Sequence, residues 1–257
     1  MNPLEELLFR LADDEYVIAE RYTEWQIYAP TIESDLALAN IAQDEFGHAR
    51  LWYDVLQDRG YEEKDLLWER DPENFRHSTL AELAFEEGNW ADPVVRSYLY
   101  DTAERLRLEA LVDSSEPAIA DRVSKVLSEE NYHREHAQSW LERLAEGESH
   151  ERVQAALDRL FPHALSIFEP GEHEEEIVSQ GLRTESLDSL RKEWFEITIP
   201  YLESLGLLMP EPDEIERPDA RGRDGSHTED WFDLHEFTAT YHELGFDQPT
   251  RLRGEGA

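Results

Sequence analysis

Two stretches of this chain put an acid and a histidine where a helical core calls for apolar side chains. Around "QDEFGHARLW" (Gln43 to Trp52), residues Leu38, Ile41, Ala42, Ala49, Trp52 and Val55 recur at steps of three and four, which marks one face of an amphipathic helix. Glu45 and His48 fall on that face. Glu130 and His133 do the same between Val126 and Ala137, on a stripe that also carries Ile119, Val123, Trp140 and Leu144. Burying a carboxylate or an imidazole costs several kcal/mol unless something compensates it. Any fold for this chain must therefore supply the compensation.

Of the ten histidines, only His48 and His133 have Glu three residues earlier. In so acidic a chain that spacing alone arises by chance, so position has to carry the weight. In an antiparallel helical hairpin, residues equidistant from the turn lie at the same height. Glu15 stands 30 residues before Glu45, and their midpoint is Pro30, inside a turn; Glu15 also sits between Leu11 and Ile18 on the first helix's apolar stripe. Asp101 stands 29 residues before Glu130, with the midpoint between Ser115 and Glu116, inside a second turn. Both halves thus read acid, turn, Glu-x-x-His. Arg105 interrupts the stripe around Asp101, which leaves Glu104 and Glu109 as alternatives there.

The rest of the chain fits the same plan. A first helix runs from about Pro3 to Tyr28, a Pro30–Thr31 turn follows, and a second helix covers Ile32 to about Leu56. Residues 60–92 form a long connection with a short helix in "STLAELAFEE", a third helix spans Pro93 to Val112, and the fourth starts near Pro117. Further helices are expected around Glu151–Phe168 and Thr184–Leu205, and a terminal one opens on the capping-box pair Ser226 and Glu229 after a polar, Pro-rich linker. Strand signals are sparse. The expected class is all-α: a ferritin-like four-helix bundle, two hairpins joined by a long crossover, over residues 1–148, with a helical extension over 149–257 packed on the bundle or on a partner.

Six inward side chains result: Glu15, Glu45, His48, Asp101, Glu130 and His133. They match the ligand set of a carboxylate-bridged di-metal centre, with Asp in place of one Glu. Four buried carboxylates are neutralised by two divalent cations, which removes most of the penalty. Oxygen and imidazole donors suit two iron ions or manganese, and zinc also fits. The competing reading is solvated or ion-paired side chains, and six coincident placements on core stripes argue against it. His136 reads as a neighbour or surface residue rather than a ligand. Asp44 and Glu129, each just before a ligand Glu, read as a solvated face more readily than as supports for the ligands.

Composition narrows the partners. Sixty acidic against 24 basic residues give a net charge of −36, which repels nucleic acid and anionic membranes. Only Lys64, Lys125 and Lys192 are lysines, a balance expected of a protein from a high-salt cytoplasm, where ions screen the self-repulsion. No cysteine is present, so thiolate metal sites and iron–sulfur clusters are excluded within the chain. The amino terminus lacks a signal-peptide pattern and no apolar run is long enough to span a membrane, so a soluble, cytoplasmic protein is expected. The aromatic residues Trp25, Phe46, Trp52 and Trp90 read as core.

The segments "SDLALANIAQDEFGHARLWYDVL", "GNWADPVVRSYLYD", "EENYHREHAQSWLERL" and "HTEDWFDLHEF" resemble the oxygenase subunits of phenylacetyl-CoA 1,2-epoxidase, most closely its C-type chain, over most of the sequence. The resemblance implies a ferritin-like fold, assembly with a related A-type chain, and a role in aerobic phenylacetate degradation through epoxidation of the phenylacetyl-CoA ring. It also implies that the A-type chain holds the iron, while typical C-type chains have lost ligands and act as its structural partner. Here "QDEFGH" and "EENYH" keep the A-type pattern, so either a C-like chain has retained metal or one chain serves both roles, with self-association in place of an A-type partner. The leading expectation is a di-iron oxygenase component fed by a separate reductase, because the chain has no nucleotide fingerprint. The rival is a non-catalytic scaffold with a vestigial or structural metal site. An iron-storage cage fits less well, because residues 149–257 lie beyond the helices it needs.

Overall fold

Helix α1 (Pro3–Glu24) opens on a reciprocal cap: Asn2 accepts from the backbone N–H of Glu5, and the Glu5 carboxylate accepts from the N–H of Asn2. The two bonds satisfy donors that a helix start otherwise leaves orphaned. The computed structural model describes residues 1–68, 70–85 and 89–209, and among them it is helical with no strand. Helix α1 stops four residues earlier than its apolar pattern predicts. Ile27 takes φ +74°, a left-handed conformation that a β-branched residue adopts only at a cost of about 1–2 kcal/mol, and its N–H is held by Asp35 Oδ1 at 2.5 Å. Thr31 then caps α2 (Ile32–Gln57) through the Ser34 N–H.

The crossover carries a π-type turn (Lys64–Trp68), a 3-10 turn (Pro72–Asn74) and the short helix α3 (Thr79–Glu82), which falls inside the expected "STLAELAFEE". Asp13 on α1 pins it: Arg70 pairs with both Asp13 oxygens at 2.7 Å, and the Arg76 N–H and Tyr53 hydroxyl donate to them at 2.6 Å. Asp14 takes the Ser78 N–H and the Arg107 guanidinium, both at 2.5 Å. A buried acid at each successive position is tolerable only because each finds its own donors.

Helices α4 (Ala91–Glu109) and α5 (Pro117–Ala145) form the second hairpin. Helix α1 packs on α2, α4 on α5, and α2 on α5, which closes the ferritin-like bundle. Helix α4 is buried on almost every side because α6 (His150–Ala164) and α8 (Leu187–Ser204) cover its outer face. Trp194 of α8 is fully buried, stacks on Phe161 and donates to the Leu99 carbonyl at 3.2 Å. The α4 end comes before the predicted Val112 because the Ala110 carbonyl is taken by the Thr184 N–H and hydroxyl.

The expected Glu151–Phe168 helix is α6 followed by a 3-10 turn (Leu165–Phe168). Pro162, which lacks an N–H and crowds the preceding turn, sits where the geometry tightens. Ser186 caps α8, which sets its start at Leu187. A six-residue helix, α7 (Glu174–Ser179), has no counterpart in the sequence pattern: it buries only Ile177. The terminal helix expected from Ser226 and Glu229 lies outside the described residues.

Candidate metal centre

All six predicted ligand side chains lie in the bundle interior: Glu15, Glu45, His48, Asp101, Glu130 and His133 have no exposed surface. Glu15 comes from α1, Glu45 and His48 from α2, Asp101 from α4, and Glu130 and His133 from α5. Each replaces an apolar residue on its helix's inner stripe, and the antiparallel pairing brings them to one height. Ligand atoms of Glu15, Glu45, His48 and Glu130 all lie within 4.8 Å of one another. His48 Nδ1 stands 3.3 Å from Glu130, 3.6 Å from Glu45 and 3.8 Å from Glu15. His133 Nδ1 stands 3.3 Å from Glu45 Oε1 and 3.3 Å from Glu130 Oε1. Glu45 and Glu130 therefore lie between the two histidines, while Glu15 stands on the His48 side.

Asp101 is fully buried and its charge is felt by Tyr22, but it is not part of the tight four-residue group. Of the alternatives on the same helix, Glu109 is exposed and pairs with Arg105 at 2.8 Å, which also explains why that arginine interrupts the stripe. Glu104 is buried beside Arg107, with 2.9 Å between them.

The cluster fits bound metal. Both oxygens of Glu15, Glu45, Asp101 and Glu130, and Nδ1 of both histidines, have no hydrogen-bond partner among the described residues. Native interiors rarely leave so many polar atoms unsatisfied at one place unless a ligand supplies the bonds. Without cations, the cluster takes its positive charge from protons. Burial, then the Glu45 charge, pushes the Glu15 carboxyl well up, and burial with the Glu130 charge does the same to Asp101. Against burial, the nearby carboxylates of Glu130, Glu15 and Glu45 push the His48 imidazole up, and the Glu130 charge chiefly raises His133. Burial would raise Glu45 as well, yet Glu15, His133 and His48 hold it low. Oxygen and imidazole donors without sulfur match a hard or borderline divalent metal.

The far side of each imidazole is also held. His48 Nε2 lies 2.9 Å from Glu129 Oε2, and His133 Nε2 lies 3.3 Å from Asp44 Oδ2. By sequence these two acids read as a solvated face. Both are partly solvated, yet each orients the imidazole of the opposite helix, turning Nδ1 toward the cluster. His136 is half-buried outside the cluster, its imidazole pushed down by burial and by the His133 charge.

A cleft of about 570 Å3 opens between α1, α2 and the Lys64–Trp68 turn, walled by Tyr16, Phe46, Tyr53 and Leu66 with Gly47 on the α2 side. Glu20, Asp54 and Glu63 face Arg50 around it, a balance that repels phosphates. Among the described residues, no helix is long and apolar enough to cross a membrane.

An all-helical ferritin-like bundle with a buried carboxylate–histidine cluster built from two Glu-x-x-His helices defines the class. The chain belongs to the phenylacetic acid catabolic protein family, whose model matches residues 1–245. It is 30% identical over 233 residues to the C-type chain of the 1,2-phenylacetyl-CoA epoxidase of Escherichia coli K12, covering 89% of this chain and 92% of that one. It is 26% identical over 195 residues to the A-type chain of the same enzyme, covering 74% of this chain and 62% of that relative.

Proposed function

We propose that this protein is an oxygenase subunit of a phenylacetyl-CoA epoxidase and that residues 1–148 hold two iron ions on Glu15, Glu45, His48, Asp101, Glu130 and His133. The observation that supports it most is the placement of Glu45 and Glu130 between two inward Nδ1 atoms, with every one of their oxygens lacking a hydrogen-bond partner. Two such iron ions, kept reduced by an external electron donor, would bind and activate oxygen for inserting one oxygen atom into an aromatic ring; manganese suits the same donors.

The protein's own residues have three tasks. Glu15, Glu45, Asp101 and Glu130 would hold the metal together with His48 and His133, and Glu129 and Asp44 fix the imidazole tautomers. The surrounding apolar core excludes water. Electrons come from a separate reductase, and the phosphates of a CoA thioester need cationic groups from elsewhere than the acidic cleft, which an A-type chain or a second copy of this chain can provide. The acidic, lysine-poor surface supports a salt-rich cytoplasmic setting.

The greater identity to the C-type relative favours a second reading, a structural partner whose metal does no chemistry. Metal content by mass spectrometry of untagged protein, beside a Glu45→Ala, Glu130→Ala variant, tests both. About two iron ions per chain, lost in the variant, together with phenylacetyl-CoA turnover when a reductase is added, support the oxygenase; two ions without turnover support the structural partner. A folded wild type that takes up no metal overturns the metal site.

A further inference from the structure

We propose that residues 226–244 of this chain dock on an apolar patch around the α1–α2 turn, laying the stripe Trp231, Leu234, Phe237, Tyr241 and Leu244 over Ile27, Tyr28, Ile32 and Leu36. The inference concerns an interaction surface and does not depend on the di-metal reading.

Four of the nine large apolar side chains exposed among the described residues lie between positions 27 and 36: Ile27, Tyr28, Ile32 and Leu36 are 84%, 69%, 72% and 59% exposed. Ile32 and Leu36 stand one turn apart on the same face of α2. The Asp35 carboxylate holds the Ile27 N–H, which fixes the turn against the start of that helix. Local forces do not explain Ile27, because its left-handed backbone costs free energy while its side chain is turned out to solvent. The other five exposed apolar side chains are scattered along the chain, whereas a group of this kind marks a surface that something covers.

Position says what covers it. The α1–α2 turn lies at the end of the bundle where α4 begins and α5 ends, since Trp25 meets Trp90 at 5.8 Å and Trp90 meets Trp140 at 5.5 Å. Helix α6 starts at that end, just after α5, and α8 finishes there: Gln154 of α6 accepts from the Leu208 N–H at 2.8 Å and donates to the Leu208 carbonyl at 3.0 Å. The chain therefore leaves the described residues at Met209 on the end of the bundle that carries the patch. The Pro-rich stretch 210–225 reaches about 50 Å when extended, more than three helix diameters of about 10–12 Å each.

Residues 226–244 supply the matching chemistry. The apolar stripe recurs at steps of three and four, and Glu229, Asp233, Glu236 and Glu243 fall on the other side, so a helix there has one face to bury. The tether gives that face an effective concentration of about millimolar at the patch, which favours it over a free partner with a similar face. Both sides are acidic, with Glu33 and Asp35 beside the patch, so salt that screens the repulsion tightens the contact.

The chain has no cysteine, so engineered pairs report the contact directly. In the full-length protein at high salt, Ile32→Cys or Leu36→Cys is combined with Leu234→Cys or Tyr241→Cys from the stripe, or with Glu243→Cys from the opposite side as control. Ile32 and Leu36 are exposed, so replacing them spares the core. Disulfide formation under mild oxidation is followed by non-reducing electrophoresis and size-exclusion chromatography. The expected result is a monomer closed by its own disulfide, forming about tenfold faster with at least one stripe position than with the control. If no stripe pair closes faster than its control, the segment does not dock there and the proposal is overturned. Cross-linked dimers in place of closed monomers overturn it as well and assign the patch to a second copy of the chain.

Discussion

Glu129 on α5 stands 2.9 Å from Nε2 of His48 on α2, and the reciprocal contact, Asp44 on α2 to Nε2 of His133 on α5, is 3.3 Å. Each acid thus supports the imidazole of the opposite helix while the glutamate next to it in sequence faces the cluster. The arrangement ties the orientation of both histidines to the α2–α5 contact. The Asp44 carboxyl is held below its usual range chiefly by its hydrogen bond to His133.

If the cluster holds metal as proposed, removing these supports is expected to weaken its binding without removing a proposed ligand. Glu129→Ala and Asp44→Ala are each expected to lower metal affinity roughly 10–100-fold, as loss of a carboxylate behind a ligating histidine does elsewhere. Glu129→Gln, which still accepts a hydrogen bond, retains more. Competition with a chelator measures the change, and unchanged affinity in both alanine variants defeats the role assigned to these acids.

The crossover is secured by charge as much as by apolar packing. Arg70 is buried against Asp13, and its guanidinium also lies over the Phe9 and Phe75 rings at 4.7 and 4.2 Å. Arg70→Ala leaves Asp13 buried with its Tyr53 and Arg76 donors but without a counter-charge, and a cost of about 3–5 kcal/mol is expected. Urea unfolding of the metal-free protein measures it. A cost below about 1 kcal/mol would place Arg70 with exposed ion pairs, contrary to its burial.

How much of the molecule is legible in the sequence follows from which relations are local. The Glu-x-x-His spacing and the distances to the two turns nominate residues that prove to be buried in one interior, because helical period and hairpin register are properties of short stretches. The roles of Asp44 and Glu129 stay hidden because each reaches a histidine on another helix, a pairing that no spacing along the chain encodes. Asp13 and Asp14 raise the same difficulty: nothing local to them shows that Arg70 and Arg107 arrive from distant segments to pair with them. The α1 end departs from its pattern because Ile27 in a left-handed conformation contradicts local propensity, and α7 leaves no trace because a single buried side chain gives no periodicity.

Stability of the metal-free protein depends on pH through Glu104. Burial raises this carboxyl from the ordinary 4.5 to about 7, although the Arg107 charge works the other way. A folded-state value above the unfolded one means that the protonated form favours folding: the contribution is fully present below about pH 4.5 and is lost as pH rises through about 7. Across that window the wild type is expected to lose about 3 kcal/mol relative to Glu104→Gln, which cannot ionise. Denaturant unfolding of both proteins at pH 5 and pH 7.5, after metal removal, measures the difference, and parallel pH dependence in the two proteins contradicts it.

Gly47 occupies the interior of α2, between the proposed ligands Glu45 and His48, where glycine costs about 0.5–1 kcal/mol relative to alanine. No close approach demands it, since a Cβ built there meets nothing within 4 Å. Gly47→Ala is therefore expected to raise stability by about 0.5–1 kcal/mol and the melting temperature by about 1–4 °C. The added methyl group would project from the wall of the 570 Å3 cleft, so the same variant separates two roles for this position. If melting rises and phenylacetyl-CoA turnover is unchanged, the glycine serves neither fold nor ligand. If melting rises while the Michaelis constant increases, the cleft holds part of the substrate and the backbone at Gly47 is kept bare for it. A lower melting temperature would contradict the open space beside Gly47 and the helical geometry assigned to it.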